Sequence, residues 1–310
     1  YTSPYWLMEK GSLGTYSVSD MELIGKPETP RAFNAIFELN INGTTIPISK
    51  PIIYKYAKPE KGEIYQPFEI VPEATASFKD KVIIFSDDQP KEIPVTIRAH
   101  ADNLSGTLQL RFDKEWNVEN NTKTFEIVKK GDEQTLYFSL TPPRTENESY
   151  ISPIVQLNGK MISKELVTID YDHVPMQTIL LPSEAKTVRL DIKKAGEHIG
   201  YIMGAGDKMP TSLEQMGYLV HLVDPSEIAE GSLDKYDAVV LGIRAYNVLD
   251  ELKFKQRFIL NYVEKGGNVI VQYNTANRWG NQFENIAPYD LQISRDRVTN
   301  ENSEVRILAN

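Results

Sequence analysis

Apolar and polar positions alternate along the first half of the chain, and the period changes after Glu197. From Tyr1 to about Pro72, short alternating runs are separated by turn residues: AFNAIFELNI, then Asn42-Gly43, then TTIPISKPIIYKY. Asn-Gly between two alternating apolar runs is a strong hairpin signal, because both residues tolerate positive φ. Pro47, Pro51, Pro59, Pro67 and Pro72 suit edge strands and connections, since proline cannot donate to a ladder. The pattern predicts a small β domain over residues 1–72.

Over residues 73–172 the β pattern continues with a different spacing: KVIIFS, EIPVTIRAHA, GTLQLRF, KTFEIVKK, QTLYFSLTPP and ISPIVQLNGKMISKELVTIDY. Six or seven alternating strands at roughly ten-residue intervals predict an immunoglobulin-like β-sandwich. LTPPR followed by TENES, and Asn158-Gly159, mark breaks between strands. Trp116 sits at a strand end, where a packing role is the default and a sugar-stacking role the alternative.

The third part, 173–310, reads as α/β. IGYIMG, YLVHLVD, DAVVLGI and NVIVQYN are nearly unbroken apolar strands, MPTSLEQMG a short helix and ELKFKQRFILNYVEKGG a longer one. Apolar strands alternating with helices predict a parallel sheet covered on both faces, with flavodoxin-like strand order. Asp250 is the expected cap of the longer helix; Leu252, Phe258, Ile259, Tyr262 and Val263 form its apolar face, and Gly266 ends it. Four strands are few for such a domain, so it is expected to be cut short or completed elsewhere, although EVRILAN near the end is strand-like. The start at Tyr1 without methionine reads as a processed or excised piece of a longer protein.

Composition narrows the function classes. Among 310 residues, 34 Lys and Arg stand against 43 Asp and Glu, a net charge of −9, which makes a nucleic-acid backbone or an anionic membrane a poor partner. The absence of cysteine removes disulfides, thiolate metal sites and a cysteine nucleophile. No apolar run approaches the roughly 18 residues of a membrane span. Asn-x-Ser/Thr matches at Asn42, Asn103, Asn121 and Asn147 all fall at expected turns and matter only in a eukaryotic secreted protein.

Candidate chemistry centres on the stretch IGYIMGAGDKMP. Gly204-Ala205-Gly206-Asp207 begins like a dinucleotide loop, but Met209 stands where the third glycine belongs, and Asp224 is only loosely placed for a ribose. Gly204 and Gly206 then make a tight strand-to-helix turn, with Asp207 or Thr211 as cap and Pro210 in the first helical turn. In flavodoxin-like order the carboxyl ends of the first and third strands adjoin the reversal point. Gly204, Gly206, Asp207, Arg244, Tyr246, Asn274 and Arg278 on that rim would form a polar crevice for a carboxylate, a sugar or a partner loop; structural use of the same groups is the competing reading. His100, His173, His198 and His221 stand far apart in sequence, without a second ligand at helical or hairpin spacing, so no zinc site is expected. Asp87-Asp88 and Asp170-Tyr171-Asp172 are acidic pairs in loops, read as solvated turns rather than calcium sites. SRDRVTNENSEVR reads as an exposed strand with cross-strand ion pairs.

Long strings add a resemblance. YTSPYWLMEKGSLGTY, KPIIYKYAKPEKGEIYQPFEIVP, VTIDYDHVPMQT, HIGYIMGAGDKMP, YDAVVLGIRAYN, VQYNTANR and LQISRDRVT resemble the region after the catalytic domain in large Bacteroidetes proteins of the LmbE-like, PIG-L-type N-acetylglucosaminyl deacetylase family. The resemblance covers nearly the whole chain. It implies an upstream zinc deacetylase domain, then immunoglobulin-like modules of the kind found beside glycosidases, then a module similar to class I glutamine amidotransferases and ThuA-like proteins, in a periplasmic or secreted setting. Zinc is implied only for that upstream domain, and no cofactor for this chain.

Departures limit what transfers. The deacetylase His-Pro-Asp-Asp run is absent; Ser86-Asp87-Asp88-Gln89-Pro90 lacks its histidine. Where the amidotransferase-like fold implies a cysteine nucleophile, Tyr273, Asn274 and Thr275 follow the strand instead. The expectation is a non-catalytic accessory region of an exported deacetylase acting on N-acetylated amino sugars. Its partners would be the catalytic domain of the same polypeptide and a glycan, and its role substrate presentation, glycan binding or domain docking. One alternative is an independent hydrolase with its site on the rim, which needs a positioned base such as His198 or His221. Another is a carbohydrate-binding β module with coplanar exposed aromatics, including Trp116 or Trp6.

Overall fold

The computed structural model describes residues 1–310 other than 10, 13, 175, 277–285, 292, 295, 301, 305 and 307–310. The chain is β-rich, and it divides into two compact units: Tyr1–Ile83 with Asp87–Arg189, and Ile84–Ser86 with Leu190–Asn310.

The first unit opens with two hairpins, β1 (Asn34–Ile41) with β2 (Thr44–Pro51) and β3 (Ile53–Lys58) with β4 (Gly62–Pro67). Asn42 and Gly43 close the first at φ 52° and 83°, the left-handed pair that a two-residue hairpin turn demands. Nine strands follow: β5 (Ala74–Phe78), β6 (Val82–Phe85), β7 (Lys91–Ala99), β8 (Leu104–Arg111), β9 (Asn117–Glu119), β10 (Thr122–Ile127), β11 (Glu133–Thr141), β12 (Asn147–Leu157) and β13 (Lys160–Ile162). The unit ends with β14 (Lys164–Ile169), β15 (Gln177–Pro182) and β16 (Ala185–Arg189). One sheet runs β5-β7-β11-β9; the other runs β10-β8-β12-β16-β6, with β13 beside β12.

Strict alternation puts Ile93, Val95, Ile97 and Ala99 of β7 inside, with Phe138 and Leu140 of β11 and Leu108, Leu110, Ile151 and Val155 of β8 and β12. Each such fully buried aliphatic or aromatic side chain stabilises by roughly 1.5–3 kcal/mol. Asn158 and Gly159, both at positive φ, form the tight turn from β12 to β13.

Two expectations change here, the domain boundaries and Asn147, while the default packing role of Trp116 stands. The sequence reading places boundaries at 72/73 and 172/173, whereas 1–72 groups with the sandwich strands and residues up to Arg189 belong to this unit. The physical reason is backbone pairing: β15 runs antiparallel to β14, and Ala185–Arg189 pairs with Asn147–Ile151. Asn147, expected at a turn, is the first residue of β12. Trp116 is 2% exposed and its indole donates to Asn147 Oδ1 at 2.8 Å, so it packs in the core and offers no stacking platform. Trp6 is half-buried and stands edge-on to Tyr5 (4.9 Å, 90°), not coplanar with another ring.

His100 lies just beyond β7, with Nε2 2.9 Å from Thr75 Oγ1 and its backbone N–H donating to Glu73 O. Burial, then the Arg98 and Lys130 charges, holds its imidazole down to about 4 from 6.5. The unfolded chain therefore binds a proton near pH 6.5 that the folded chain refuses until about pH 4. The contribution is full above the unfolded value and is lost as pH falls through this window. Because the ring is half-exposed, the expected loss is discounted to about 1–2 kcal/mol. In urea titrations the stability difference between the wild type and His100→Gln should shrink by that amount between neutral pH and the lower end of the window. A difference that stays constant with pH would refute the coupling.

The second unit contains β17 (His198–Ile202), α1 (Met209–Gln215), β18 (Leu219–Leu222), β19 (Ala238–Leu241), α2 (Ala245–Val248), α3 (Leu252–Glu264) and β20 (Asn268–Val271). The sheet order is β18-β17-β19-β20, every pair parallel. Alternate side chains of β17 and β19 serve different clusters. Ile202, Val239 and Leu241 pack with Leu252, Ile259 and Tyr262 of α3, while Ile199, Tyr201 and Val240 pack with Met203, Leu213 and Tyr218. Burial on both faces is why these strands read as unbroken apolar runs.

Glu251, not Asp250, precedes α3, and no side chain caps it; Asp250 instead pairs with Lys253 at 2.9 Å. Gly266, at φ 95°, ends the helix as expected. The described residues between 293 and 306 form no strand, contrary to the reading of SRDRVTNENSEVR, and most of EVRILAN lies outside the described residues.

Candidate functional site

The rim at the carboxyl ends of β17, β19 and β20 was built by ladder bonds that continue past the strands. Gly242 N–H donates to Ile202 O, Ala205 N–H to Ile243 O and Arg244 N–H to Tyr273 O at 2.7–2.8 Å. Gly204 sits where two exits touch: a Cβ there would lie 2.1 Å from Ile243 O. Gly206 has open space around it but φ +100°, a conformation that L side chains resist. Close approach explains the first glycine and backbone handedness the second, without a bound phosphate.

Asp207 is the hub of the turn. Its carboxylate accepts from the Tyr201 hydroxyl (2.8 Å to each oxygen), from Met209 N–H at the start of α1 (2.9 Å) and from Ile243 N–H (3.2 Å). Gln272 Nε2 donates to the same Tyr201 oxygen at 2.8 Å. Burial first, then the Asp207 carboxylate, pushes the Tyr201 phenol well above its ordinary value, so it is a fixed donor at any physiological pH.

The other two exits are joined in the same way. Asn274, 7% exposed, accepts from Tyr246 N–H at 3.2 Å and donates to Gln272 O at 2.8 Å. Asn247 bonds Thr275 through both ends of its amide, at 3.0 and 2.9 Å. Tyr246 is 2% exposed; its hydroxyl donates to Gln256 Oε1 at 2.7 Å, and burial pushes it up to about 12.

Of the expected crevice residues, Asp207, Tyr246 and Asn274 are thus engaged by neighbouring groups and Gly204 lies against the Ile243 carbonyl, while Gly206 has open space around it. Arg244 stands at φ +57° with an exposed side chain. Arg278 lies outside the described residues. Asp207→Asn should place an amide N–H against donors that need an acceptor. The expected cost is about 2–4 kcal/mol, seen as a lower urea midpoint and lost hydrogen-exchange protection at the Met209 and Ile243 amides. Unchanged protection would show that the carboxylate does not hold the turn.

The histidines correct another expectation. His198 and His221, 23 residues apart, meet on adjacent strands with Nδ1 to Nε2 at 3.2 Å and stacked rings at 5.5 Å. They line a hollow of about 310 Å³ with Lys235 and Tyr236. His198 begins β17, at the strand's opposite end from the rim, where its Nδ1 meets His221 Nε2. Parallel adjacency of β17 and β18 was the signal that would have found this pair. Tyr201, a polar tip within the apolar run IGYIMG, was the signal for the Asp207 network. Among the described residues, no group of three or more His, Cys, Asp or Glu converges as a metal ion would require. No helix among them is long and apolar enough to cross a membrane.

Compared with known proteins, the chain matches no protein-family model and no curated protein. Among solved structures it is similar to a C. elegans member of the MSP family, at 9% identity and a TM-score of 0.22, over 37% of this chain and 98% of that one. A likeness so slight carries no argument about fold or function, and the reading of the rim rests on its geometry alone.

Proposed function

We propose that this chain is a non-catalytic accessory region of an exported LmbE-like, PIG-L-type deacetylase acting on N-acetylated amino sugars. In this reading the first unit supplies immunoglobulin-like modules and the second a flavodoxin-like module related to class I glutamine amidotransferases. Together they serve substrate presentation, glycan binding or docking to the catalytic domain. The β18-β17-β19-β20 order supports the flavodoxin-like assignment, since the second strand flanks the first and the third lies on its other side. The observation that carries the non-catalytic role is the rim: Asp207 and Asn274 are engaged by neighbouring donors and acceptors, and Tyr273-Asn274-Thr275 follows β20 where a nucleophile would stand.

One surface favours docking. Phe37, Leu39 and Ile41 of β1 share a face with Ile48 and Ile46 of β2, and these side chains are 38–55% exposed. A two-stranded hairpin with an uncovered apolar face is marginal in water, which favours cover by another surface. The deciding experiment measures deacetylation of acetylated amino-sugar oligomers by the full-length parent, by this chain, and by the parent lacking it. The expected result is no activity in this chain alone and weaker turnover of long oligomers in the shortened parent. Turnover by this chain alone would overturn the reading.

A further inference from the structure

The β3–β4 hairpin and residues 170–172, 174 and 176 line a cleft of about 760 Å³, within the size range of small-ligand sites. Tyr56 and Tyr171 line it, Tyr171 at 63% exposure, and Tyr65, 52% exposed, borders it from the other face of the hairpin, where it stands opposite Lys55. The rings are held before any ligand arrives. Tyr54 stacks on Tyr56 (5.3 Å, 26°), His173 stacks on Tyr171 (5.8 Å, 25°), and Tyr65 donates to Glu63 at 2.6 Å with Lys55 Nζ 5.3 Å from its ring. Lys61 pairs with Asp172 and so ties the hairpin turn to the opposite segment. Rings fixed in this way lose little conformational freedom on binding.

The polar lining sets the class of ligand. Glu60, Glu63, Asp170 and Asp172 line the cleft with Lys58 and Lys61; Lys61 pairs with Asp172 and Lys55 with Glu63 at 2.6 Å, so four carboxylates against three ammonium groups leave one negative charge. Gln66 adds an amide able both to donate and to accept. Rigid aromatic faces match the C–H faces of a pyranose, and carboxylates with an amide match its hydroxyls or amines, while the excess negative charge rejects anions.

We propose that this cleft binds an oligosaccharide that is uncharged or carries free amines. The inference deepens the accessory role above and rests on it for biological sense, whereas the site itself rests on the tyrosines and carboxylates named here.

The test is calorimetric titration of this chain with glucosamine tetraose, cellotetraose and tetragalacturonate. The expected result is binding of the first or of both of the first two, no binding of the third, and roughly tenfold weaker binding in Tyr56→Ala and Tyr171→Ala. Tyr137→Ala, an exposed tyrosine outside the cleft, should bind as the wild type. Thermal midpoints confirm that each variant is folded. Tyrosine-dependent binding of cellotetraose alone would uphold the cleft while telling against the deacetylase role. Binding of none of the three, a preference for tetragalacturonate, or undiminished binding in both cleft variants would overturn the proposal.

Discussion

Gly204→Ala should unfold the parallel-sheet unit or bring it close to unfolding. The added methyl would stand 2.1 Å from Ile243 O and 2.8 Å from Ala245 N, both backbone atoms of the adjoining exit, so no flexible side chain can yield. The sheet would have to part at β17 and β19, where Ala205 N–H bonds Ile243 O. Overpacking of an ordinary core site costs about 1–3 kcal/mol, and a backbone collision with loss of a ladder bond should reach or exceed about 3 kcal/mol. Amide hydrogen exchange would report it as lost protection along β17 and β19 together. Gly206→Ala provides the contrast. Nothing crowds its Cβ, so only the positive φ is at issue, and about 1–2 kcal/mol is expected. Equal effects at the two positions would refute the distinction between close approach and handedness.

Trp116→Ala should be the most damaging single change in the first unit, at about 3–5 kcal/mol. It empties a site of 2% exposure and leaves the Asn147 carbonyl without its indole donor. Trp116→Phe refills much of the volume but not the hydrogen bond, and about 1–2 kcal/mol is expected. Urea titrations of both variants supply the ranking. An alanine variant as stable as the wild type would mean that the ring is dispensable to the core.

Much of the architecture was legible because hydrophobic period is a local property. Asn42-Gly43 specified a hairpin through its own φ preferences, and IGYIMG and DAVVLGI specified strands buried on both faces, whereas NVIVQYN became a strand whose Ile270 and Val271 stand 57% and 38% exposed. The end of α3 at Gly266 was equally local, whereas its expected cap at Asp250 was not realised, because the side chain turned to Lys253 instead. The candidate crevice shows the limit of that legibility. Its residues were found by position on the rim, where Asp207, Tyr246 and Asn274 are engaged by neighbouring groups. Whether a carboxylate faces a ligand or a neighbour depends on donors elsewhere in the chain, and Tyr201 and Ile243 could not be assigned to Asp207, nor Gln272 to Tyr201, from spacing.

By itself, then, the sequence determined most element types and the Asn42-Gly43 and Asn158-Gly159 turns, which depend on neighbours within a few positions, and its composition excluded cysteine chemistry. Tertiary structure alone decided that Trp116 is core, that residues 173–189 complete the first unit, that His198 meets His221, and that Asp207 is closed in by its own fold. Apart from Tyr201 and Asp207, 6 residues apart, those outcomes depend on groups at least 23 residues apart being placed together by pairing of strands, and periodicity along a chain carries no record of that register.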